Sequence, residues 1–279
     1  MSTRPNPVPL TRAVIIGVSG RMGEALLRAA PTFPQLIITG AIVSPESLAV
    51  GRDAGQVAGL GNANLPITSD LPAALAQADV ALDFSNSAAA RSTLQACRAA
   101  RKPLLLGTTG FGAELDAELE ATAREVALLV APNTSVAAAL LAELTRQAAR
   151  ALPAGFDIDV LELHHRLKQD APSGTARGLV RAAAQGRGLS TAAGGADPIR
   201  RSSGPRADGE IGLASLRAGD VIGEHTVLFC GAGEELGLTH RAHDRGIFAR
   251  GALAAALWLS SRPAGRYEMR DFLALKTVG

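Results

Sequence analysis

Aromatic residues, cysteine and net charge are all scarce in this sequence. Of 279 residues, one is Trp, one is Tyr and seven are Phe, so the aromatic platforms on which single-stranded nucleic acids stack are not expected. The formal net charge is only +2, which also argues against a nucleic-acid partner. The two cysteines, Cys97 and Cys230, form no CxxC motif. This argues against a disulfide framework or a cysteine zinc site and favours a reducing compartment.

Long apolar runs and a targeting signal are missing as well. The longest apolar runs, such as GALAAALWL at 251–259, are shorter than the ~20 residues that cross a bilayer. The N-terminal MSTRPNPVPLTR carries three prolines and lacks the apolar core of a signal peptide. We therefore expect a soluble cytoplasmic protein with no membrane partner.

The first 133 residues alternate short apolar runs with helical patterns. Strands are predicted at 12–18, 36–43, 79–85, 103–110 and 126–135, and helices at 23–30, 88–101 and 113–126. Strands that alternate with helices favour a parallel sheet covered by helices on both faces. The predicted fold class of this part is therefore α/β.

The remainder of the chain has a different pattern. The predicted elements are a helix at 136–152, a strand over DIDVLELHH at 157–165, a helix at 175–188, several strands between 210 and 242, and a helix at 246–265. The strands between 210 and 242 are joined by short turns, which predicts antiparallel pairing. A loop rich in Gly, Pro, Ser and Arg occupies 191–209. This pattern indicates a second domain of α+β type.

A glycine-rich turn follows the first predicted strand. Gly17, Gly20 and Gly23 stand in GVSGRMG, just before the next helix. Glycines there allow a tight turn and let the amides at the start of the helix approach a pyrophosphate. Ser19 replaces a glycine of the usual GxGxxG pattern, so an ordinary strand-to-helix turn is the alternative. Arg21 is the predicted electrostatic partner of a cofactor phosphate.

The predicted cofactor is a nicotinamide dinucleotide. An enzyme specific for NADH usually ends its second strand in an acid that holds the ribose 2′-hydroxyl. Ser44 stands there instead, with Glu46 two residues later. Because Ser44 does not repel a 2′-phosphate, the sequence favours NADPH, with NADH as the alternative.

Small and hydroxyl residues end two more strands of the same predicted sheet. These segments are GTTG at 107–110 and APNTS at 131–135. Ligands of doubly wound sheets bind beyond the carboxyl ends of the strands, so both segments are expected to line the nicotinamide and the substrate. The alternative for each segment is an ordinary turn.

Basic residues are concentrated in VLELHHRLKQDAPSGTA, residues 160–176. His164 and Lys168 follow the predicted strand, and Ser173 is a natural N-cap for the next helix. A helix N-terminus beside a lysine can hold a carboxylate, and a histidine can transfer a proton at neutral pH. We predict a site for an acidic small molecule with an attached proton donor. The alternative is a solvated basic turn.

The remaining histidines, His225, His240 and His243, fall in predicted strands or loops and are interpreted as structural. The adjacent His164 and His165 could bind zinc, but no acidic or cysteine partner stands at the usual ligand spacing. We therefore expect no metal.

Taken together, these segments resemble the dihydrodipicolinate reductase (4-hydroxy-tetrahydrodipicolinate reductase) family of bacterial lysine and diaminopimelate synthesis. The matching motifs are GVSGRMG, DFS, GTTGF, APNTS, ELHHRLKQDAPSGTA and LRAGDVIGEHTVLF, in order from residue 17 to residue 229. The FARGALAAALWL helix also fits, so the resemblance covers nearly the whole chain. HHRxKxDAPSGTA is its most specific motif.

The resemblance implies a Rossmann-like dinucleotide-binding domain made of residues 1–133 and 247–279. It also implies an inserted α+β domain, residues 134–246, that binds the substrate and assembles a homotetramer through its sheet. NADPH or NADH would deliver a hydride to C4 of a cyclic imine dicarboxylate.

The resemblance also assigns roles to individual residues. His164 and Lys168 match the catalytic proton donors, and which of the two delivers the proton stays open. The matching substrate contacts are His165, Ser173, Gly174 and Thr175. The matching cofactor positions are Gly17, Val18, Ser19, Gly20, Arg21, Met22, Gly23, Ser44, Phe84, Gly107, Thr108, Thr109, Ala131, Pro132, Asn133 and Thr134.

Three positions depart from the family pattern. Leu167 stands where His is frequent, Thr134 where Phe is frequent, and Ser44 where an acid is frequent. These departures concern a polar neighbour of the substrate site, the packing of the nicotinamide and the choice of cofactor.

Two other functions stay open from the residues alone. One is another nicotinamide-dependent dehydrogenase of amino or imino dicarboxylates, which would use the same glycine turn. The other is a nucleotide-binding regulator without turnover, which would have no need of the His164 and Lys168 pair.

Overall fold

The computed structural model describes residues 10–108, 112–189 and 205–273. The chain divides into two compact units. The first lies within residues 1–135 and 246–279, and the second spans residues 136–245.

Strands and helices follow one another along both units. The strands are β1 Thr11–Ile16, β2 Leu36–Ile42, β3 Ile67–Thr68, β4 Val80–Asp83, β5 Leu104–Leu106, β6 Ala127–Val130, β7 Asp157–His164, β8 Ile211–Arg217, β9 Gly223–Gly231, β10 Glu234–Ala242 and β11 Gly265–Tyr267. The α-helices are α1 Arg21–Ala29, α2 Ala54–Val57, α3 Leu71–Ala76, α4 Ser87–Ala99, α5 Asp116–Glu125, α6 Val136–Ala151, α7 Gly174–Gly186, α8 Gly246–Leu259 and α9 Met269–Phe272.

The first unit is built on a seven-stranded sheet in the order β11-β6-β5-β4-β1-β2-β3. All its strand pairs are parallel. β1 lies between β2 and β4, so the strand order reverses at β1. From β3 to β6 this is the order of a doubly wound dinucleotide-binding sheet.

The central strands of this sheet are buried on both faces. Val14, Leu82 and Leu105 are fully buried, and Leu94 and Cys97 of α4 share a core cluster with Val14. A parallel sheet covered on both faces needs continuous apolar strands rather than alternating ones. This explains why the sequence of the first unit shows short uninterrupted apolar runs.

Residues after 245 complete the first unit. α8 packs against α1, β4 and β5, and its residues Ala252, Leu253 and Ala256 are fully buried. β11 pairs in parallel with β6 and aligns Gly265 with Ala127. The two separated parts of the chain therefore share one hydrophobic core.

A four-stranded sheet in the order β10-β9-β7-β8 organises the second unit. Burial alternates along β7 and β9, because one face of the sheet packs against α6 and α7. Leu141 of α6, Leu179 of α7, Val160 of β7 and Phe229 of β9 belong to this core.

The pairing of β8 corrects one prediction. Antiparallel pairing holds for β9 with β10, but it is wrong for β8, which pairs in parallel with β7. The chain runs from β7 to β8 through α7, and such a helical crossover places two strands in parallel. The predicted fold class, a Rossmann-like parallel sheet with a separate α+β unit, is confirmed.

Several element bounds also differ from the predicted ones. The short elements α2, β3 and α3 fall between residues 43 and 79, where the sequence analysis predicts none. β5 and β6 end earlier than predicted, at Leu106 and Val130. Thr109 and most of the predicted loop at 191–209 lie outside the described residues. Among the helices that are described, none has the length and apolar character of a membrane span.

Candidate functional site

The glycine turn joins β1 to α1 at the carboxyl edge of the parallel sheet. Gly17 has a φ of +83°, and a Cβ there would lie 2.8 Å from the backbone of Ser85. A Cβ at Gly23 would overlap the carbonyl oxygens of Gly17 and Val18. Gly20 is the N-cap of α1, so no side chain caps the first amides of the helix. This arrangement fits a dinucleotide pyrophosphate, because only glycines bring the backbone so close.

The neighbours of these glycines differ in exposure. Ser19 and Arg21 are exposed, Met22 is half-buried, and Val18 is fully buried in the core. The first two are therefore free to approach a phosphate, whereas Val18 contributes packing and its backbone.

A buried carboxylate, Asp83, organises the next strand end. Its Oδ1 accepts hydrogen bonds from the N–H of Ser85 at 2.8 Å and from the hydroxyl of Ser85 at 2.6 Å. The hydroxyl of Thr108 lies 3.3 Å from the same oxygen. Asp83 thus ties the end of β4 to the end of β5, beside the point where the strand order reverses. Asp83 belongs to the DFS motif but is absent from the predicted site residues, although a carboxylate that ends a fully buried strand is a usable signal.

Phe84 and Gly107 pack against each other at the same edge. The ring of Phe84 lies so close to Gly107 that a Cβ at Gly107 would overlap it. Thr108 is buried, and Thr109 lies outside the described residues. Any side chain at Gly107 would displace the Phe84 ring.

Ser44 follows β2 and is exposed, as is Glu46. The carbonyl of Ser44 accepts a hydrogen bond from the N–H of Ser47 at 3.0 Å, so the chain turns directly after the strand. The hydroxyl of Ser44 therefore stands at the surface.

The segment after β6 is mostly turned inward. Ala131 is buried and Pro132 is exposed. The side-chain oxygen of Asn133 accepts from the N–H of Ser135 at 2.8 Å. The hydroxyl of Thr134 donates to the carbonyl of Phe248 in α8 at 2.7 Å, and only 2% of Thr134 is exposed. Thr134 therefore fastens α8 to the end of β6.

In the second unit, His164 ends β7 and is buried beside other polar side chains. Its Nδ1 lies 3.5 Å from Oε2 of Glu162. The ring of His225, from β9, meets that of His164 edge to face with 5.1 Å between centroids. His225 Nε2 lies 3.8 Å from the same carboxylate oxygen and 3.3 Å from Oγ of Ser173. The register of β7 and β9 brings these groups together, because it aligns Glu162 with His225.

The start of α7 adjoins this cluster. Ser173 is the N-cap, and its Oγ accepts from the N–H of Ala176 at 3.1 Å. The N–H of Ser173 donates to both carboxylate oxygens of Glu162, at 3.1 and 3.2 Å. A Cβ at Gly174 would meet no atom within 4 Å, and Thr175 is half-buried. The first amides of α7 are therefore placed to receive an anion beside the histidine cluster.

Arg217, at the end of β8, holds the loop that carries Lys168. Its Nε donates to the carbonyl of Lys168 at 3.2 Å, and its Nη2 donates to the carbonyl of Asp170 at 2.6 Å. Its Nη1 lies 3.5 Å from Oε1 of Glu162. Nζ of Lys168 donates to Oδ1 of Asp170 at 2.7 Å. Two cations are thus fixed at this end of the sheet.

His165 and Leu167 belong to the same loop. His165 is half-buried, whereas Leu167 is 79% exposed. Leu167 therefore contributes little to the packing of the site.

The environment of His164 shifts its protonation equilibrium. Burial lowers the pKa of His164; the carboxylate of Glu162 opposes this, and the charges of Lys168 and Arg217 reinforce it. Burial likewise lowers the pKa of His225, to about 4, with a further contribution from His164.

Glu162, unlike the two histidines, is held in its charged form. Burial alone would raise its pKa, but hydrogen bonds from Ser173 and Ser215 and the charge of His164 hold the pKa of Glu162 below its usual range. At neutral pH the cluster therefore contains an ionised carboxylate and an uncharged His225.

Three of these groups are of types that can bind metal ions. Glu162, His164 and His225 offer atoms within 4.8 Å of one another. Glu162 is an acidic neighbour that sequence spacing does not indicate. Its carboxylate already accepts from Ser173 and faces the guanidinium of Arg217. Since a fixed cation disfavours a second one, we interpret the cluster as a proton-transfer network.

Glu162, Arg217 and His225 are absent from the predicted site residues. From its sequence context His225 is interpreted as structural, whereas the structure places it in the cluster. The alternation of side chains along a strand could have indicated two of these residues. Glu162 shares a face with the apolar Val160, and His225 shares one with Phe229. A polar residue on an otherwise apolar face marks a buried polar site.

Two family models together match almost the whole chain. The model for the N-terminus of dihydrodipicolinate reductase matches residues 11–134, and the model for its C-terminus matches residues 137–273. The curated 4-hydroxy-tetrahydrodipicolinate reductase of Anaeromyxobacter dehalogenans is 43% identical over 96% of this chain and 99% of its own. That of Beijerinckia indica subsp. indica is 44% identical over 95% of this chain and 97% of its own.

A solved structure agrees on the fold. Dipicolinate-bound dihydrodipicolinate reductase from Paenisporosarcina sp. TG-14 aligns with a TM-score of 0.71, over 93% of this chain and 97% of that one. The sequence identity is 23%, so this likeness concerns the fold alone.

The parallel sheet with its glycine turn and these matches define a class: the protein is an oxidoreductase with a Rossmann-type unit for a nicotinamide cofactor. More particularly, the chain belongs to the dihydrodipicolinate reductase family.

Proposed function

We propose that this chain reduces 4-hydroxy-tetrahydrodipicolinate to tetrahydrodipicolinate, with NADPH or NADH as reductant, in the synthesis of diaminopimelate and lysine. The observation that carries the proposal is the 43% identity to a curated reductase over 96% of the chain. The cluster around His164 supplies chemistry that this reaction needs. Overall, a hydride and a proton are added, and the hydroxyl on C4 leaves as water.

In the proposed complex the glycine turn holds the cofactor. Gly17 and Gly20 let the pyrophosphate approach the first amides of α1, and Arg21 faces its charge. Phe84 and Thr108 stand at the neighbouring strand ends, where a nicotinamide would lie. When bound, the nicotinamide supplies the hydride.

The proposed preference is for NADPH. Ser44 offers a hydroxyl at the surface where a carboxylate would repel a 2′-phosphate. Glu46 is exposed two residues later, so NADH is the alternative.

The substrate's carboxylates have a proposed binding place at the start of α7. The amides of Gly174 and Thr175 follow the N-cap, and Lys168 adds an ammonium. Lys168 pairs with Asp170, whose side chain is 58% exposed, and such pairs contribute only ~0–1 kcal/mol. A substrate carboxylate can therefore replace Asp170. His165 is proposed as a further contact.

His164 and Lys168 are the proposed proton donors. Hydride addition to a conjugated imine leaves electron density on the ring, which a proton must neutralise. Glu162 lies 3.5 Å from Nδ1 of His164, and Arg217 holds the backbone of Lys168, so both donors are placed at one end of the sheet. The lowered pKa of His164 makes its imidazolium a stronger acid than a free histidine.

We also propose a homotetramer in the cytoplasm. The face of the second unit's sheet opposite α6 and α7 supports this assembly. Leu161, Leu163 and Leu228 are only half-buried there, and Leu216 is 55% exposed. Light scattering would measure the mass in solution, and a monomer would contradict the proposal.

The test of function is a coupled assay. The purified chain receives substrate generated by its synthase, and the loss of reduced-nicotinamide absorbance is followed with each cofactor. We expect oxidation of both cofactors and faster oxidation of NADPH. Lys168→Ala should lose most of this turnover. Gln169→Ala, an exposed change in the same loop, is its matched control and should retain turnover.

Two outcomes would favour the other functions. A folded protein that binds NADPH in a fluorescence titration but never oxidises it would be a nucleotide-binding regulator. Turnover of open-chain keto or imino dicarboxylates in place of the cyclic substrate would indicate another dehydrogenase.

A further inference from the structure

The carboxylate of Glu162 occupies an unusual place in the second unit. Only 1% of the residue is exposed, and its neighbours on the same face of β7, Ile158 and Val160, are apolar and buried. A charge in such a place costs several kcal/mol unless other groups compensate it. The groups that compensate it therefore indicate why a carboxylate is kept there.

Those groups come from four different elements. Glu162 accepts the N–H of Ser173 at the start of α7, at 3.1 Å, and faces Arg217 of β8 at 3.5 Å. It lies 3.5 Å from His164 Nδ1 on its own strand and 3.8 Å from His225 Nε2 on β9. The carboxylate is thus the common partner of groups on α7, β7, β8 and β9.

Arg217 extends the influence of Glu162 to the lysine loop. The same guanidinium that faces the carboxylate donates to the carbonyls of Lys168 and Asp170, at 3.2 and 2.6 Å. A change in the position of Arg217 would therefore move the backbone of Lys168.

We propose that Glu162 is a positioning residue of the reaction: it orients the imidazole of His164 with Nδ1 toward the carboxylate, stabilises its protonated form, and fixes the Lys168 loop through Arg217. Nδ1 of His164 is buried and has no hydrogen-bond partner in the described part of the chain. A small rotation of either side chain would close the 3.5 Å gap to a hydrogen bond. This inference rests on the proposed function, in which His164 carries a proton.

The charges around His164 explain why one anion matters. Lys168 from the loop and Arg217 from β8 both disfavour the imidazolium, and His225 from β9 disfavours it too when charged. Glu162 opposes them from within the site, and Asp170 opposes them from the surface. Without Glu162, burial and two cations would act against the protonated ring with little opposition.

The main experiment removes the charge of Glu162 but keeps the shape of its side chain. In Glu162→Gln, we expect the titration midpoint of His164, followed by NMR in ligand-free protein, to fall by about one pH unit, the low end of what an adjacent charge produces. The alkaline limb of the kcat/KM profile should move in the same direction, since it reports the free enzyme. Glu162→Asp keeps the charge and should restore part of the shift.

The matched control is Asp159→Asn. Asp159 lies on the same strand but on the other face, where it pairs with Arg206 at 2.8 Å. This substitution also breaks an ion pair of β7. Because Asp159 lies on the face away from His164, the titration midpoint of His164 should stay as it is in the original chain. A shift of similar size in the control would assign the effect to general loosening of β7 and overturn the proposal.

A second measurement needs no variant. The proposed orientation requires neutral His164 to carry its proton on Nδ1, and nitrogen chemical shifts distinguish the two tautomers. A neutral ring protonated on Nε2 alone would overturn the proposal, as would an unchanged midpoint in Glu162→Gln. Turnover with an unchanged midpoint would refute only the role of Glu162. Absence of turnover would refute the proposed function, while the titration still decides the role of Glu162.

Discussion

The uncharged state of His225 predicts a specific loss of stability in mild acid. Burial lowers its pKa from 6.5 to about 4, so folding excludes a proton that the unfolded chain accepts. For a group whose folded pKa is depressed, the stabilisation is fully present above the unfolded value. It is lost as the pH falls from about 6.5 toward 4.

The size of this effect follows from linkage. Each pH unit between the two pKa values is worth about 1.36 kcal/mol, so the full loss is roughly 3 kcal/mol. Between pH 7 and pH 5 the loss is about 2 kcal/mol. Replacing His225 with Gln removes the titrating ring, so the variant should lose about 2 kcal/mol less than the original chain over this interval.

The assay compares urea unfolding of the two chains at pH 7 and at pH 5. Amide hydrogen exchange of β7 and β9, measured by mass spectrometry, confines the measurement to the second unit. His243→Gln is the control for removing a histidine, because His243 is exposed after β10. Titrating groups that do not interact with His225 cancel in the difference between two chains at two pH values.

One result would refute this reasoning. If the difference in free energy of unfolding between the original chain and His225→Gln is the same at pH 7 and pH 5, then burial does not keep the ring uncharged. The same conclusion would follow if His243→Gln changed the pH dependence as much as His225→Gln does.

Three further predictions concern the proposed sites. Lys168→Met should lower kcat/KM at least about a hundredfold, while the free energy of unfolding in urea changes by less than about 1 kcal/mol, because the ammonium of Lys168 pairs with the exposed carboxylate of Asp170. Gly23→Ala should abolish NADPH binding in calorimetry, because the new Cβ would overlap the carbonyl of Gly17. Ser44→Asp should reduce the ratio of kcat/KM for NADPH to that for NADH about tenfold, because the new carboxylate repels a 2′-phosphate and accepts from a 2′-hydroxyl.

Each of these predictions has a contrary outcome. Full turnover by Lys168→Met would remove the lysine from the proposed reaction. Normal NADPH affinity of Gly23→Ala would show that the pyrophosphate does not use this turn. An unchanged cofactor ratio in Ser44→Asp would place the 2′-group elsewhere.

The main elements of the fold could be predicted because their signals are local. β1, with three fully buried residues from Ala13 to Ile15, is an uninterrupted apolar run, and α4 has a distinct apolar stripe. β3 has only two residues and α2 only four, so neither is long enough to show a period. The parallel pairing of β8 depends on the path of the crossover, which no local pattern records.

The candidate site likewise contains residues that local sequence predicts and residues that only the fold brings together. The adjacent histidines, Lys168 and the Ser173 cap lie within one short segment, so spacing alone suggests a site. His225 and Arg217 come from strands far along the chain, and only the register of the sheet brings them to Glu162. The hydroxyl of Thr134 donates a hydrogen bond to the carbonyl of Phe248 in α8. A contact between residues so far apart along the chain cannot be predicted from sequence spacing.

The first unit is formed by two separate parts of the chain, and this affects the order in which the chain folds during synthesis. Translation delivers β1, α1, β4 and β5 early, but α8, which covers them, leaves the ribosome only after residue 245 and the whole second unit. The growing polypeptide therefore carries an uncovered apolar groove for most of its synthesis, while the later-made second unit already holds all its strands. We expect the usual N-to-C order of co-translational folding to be reversed here, and a ribosome-bound chain stopped shortly before α8 should be a preferred client of chaperones.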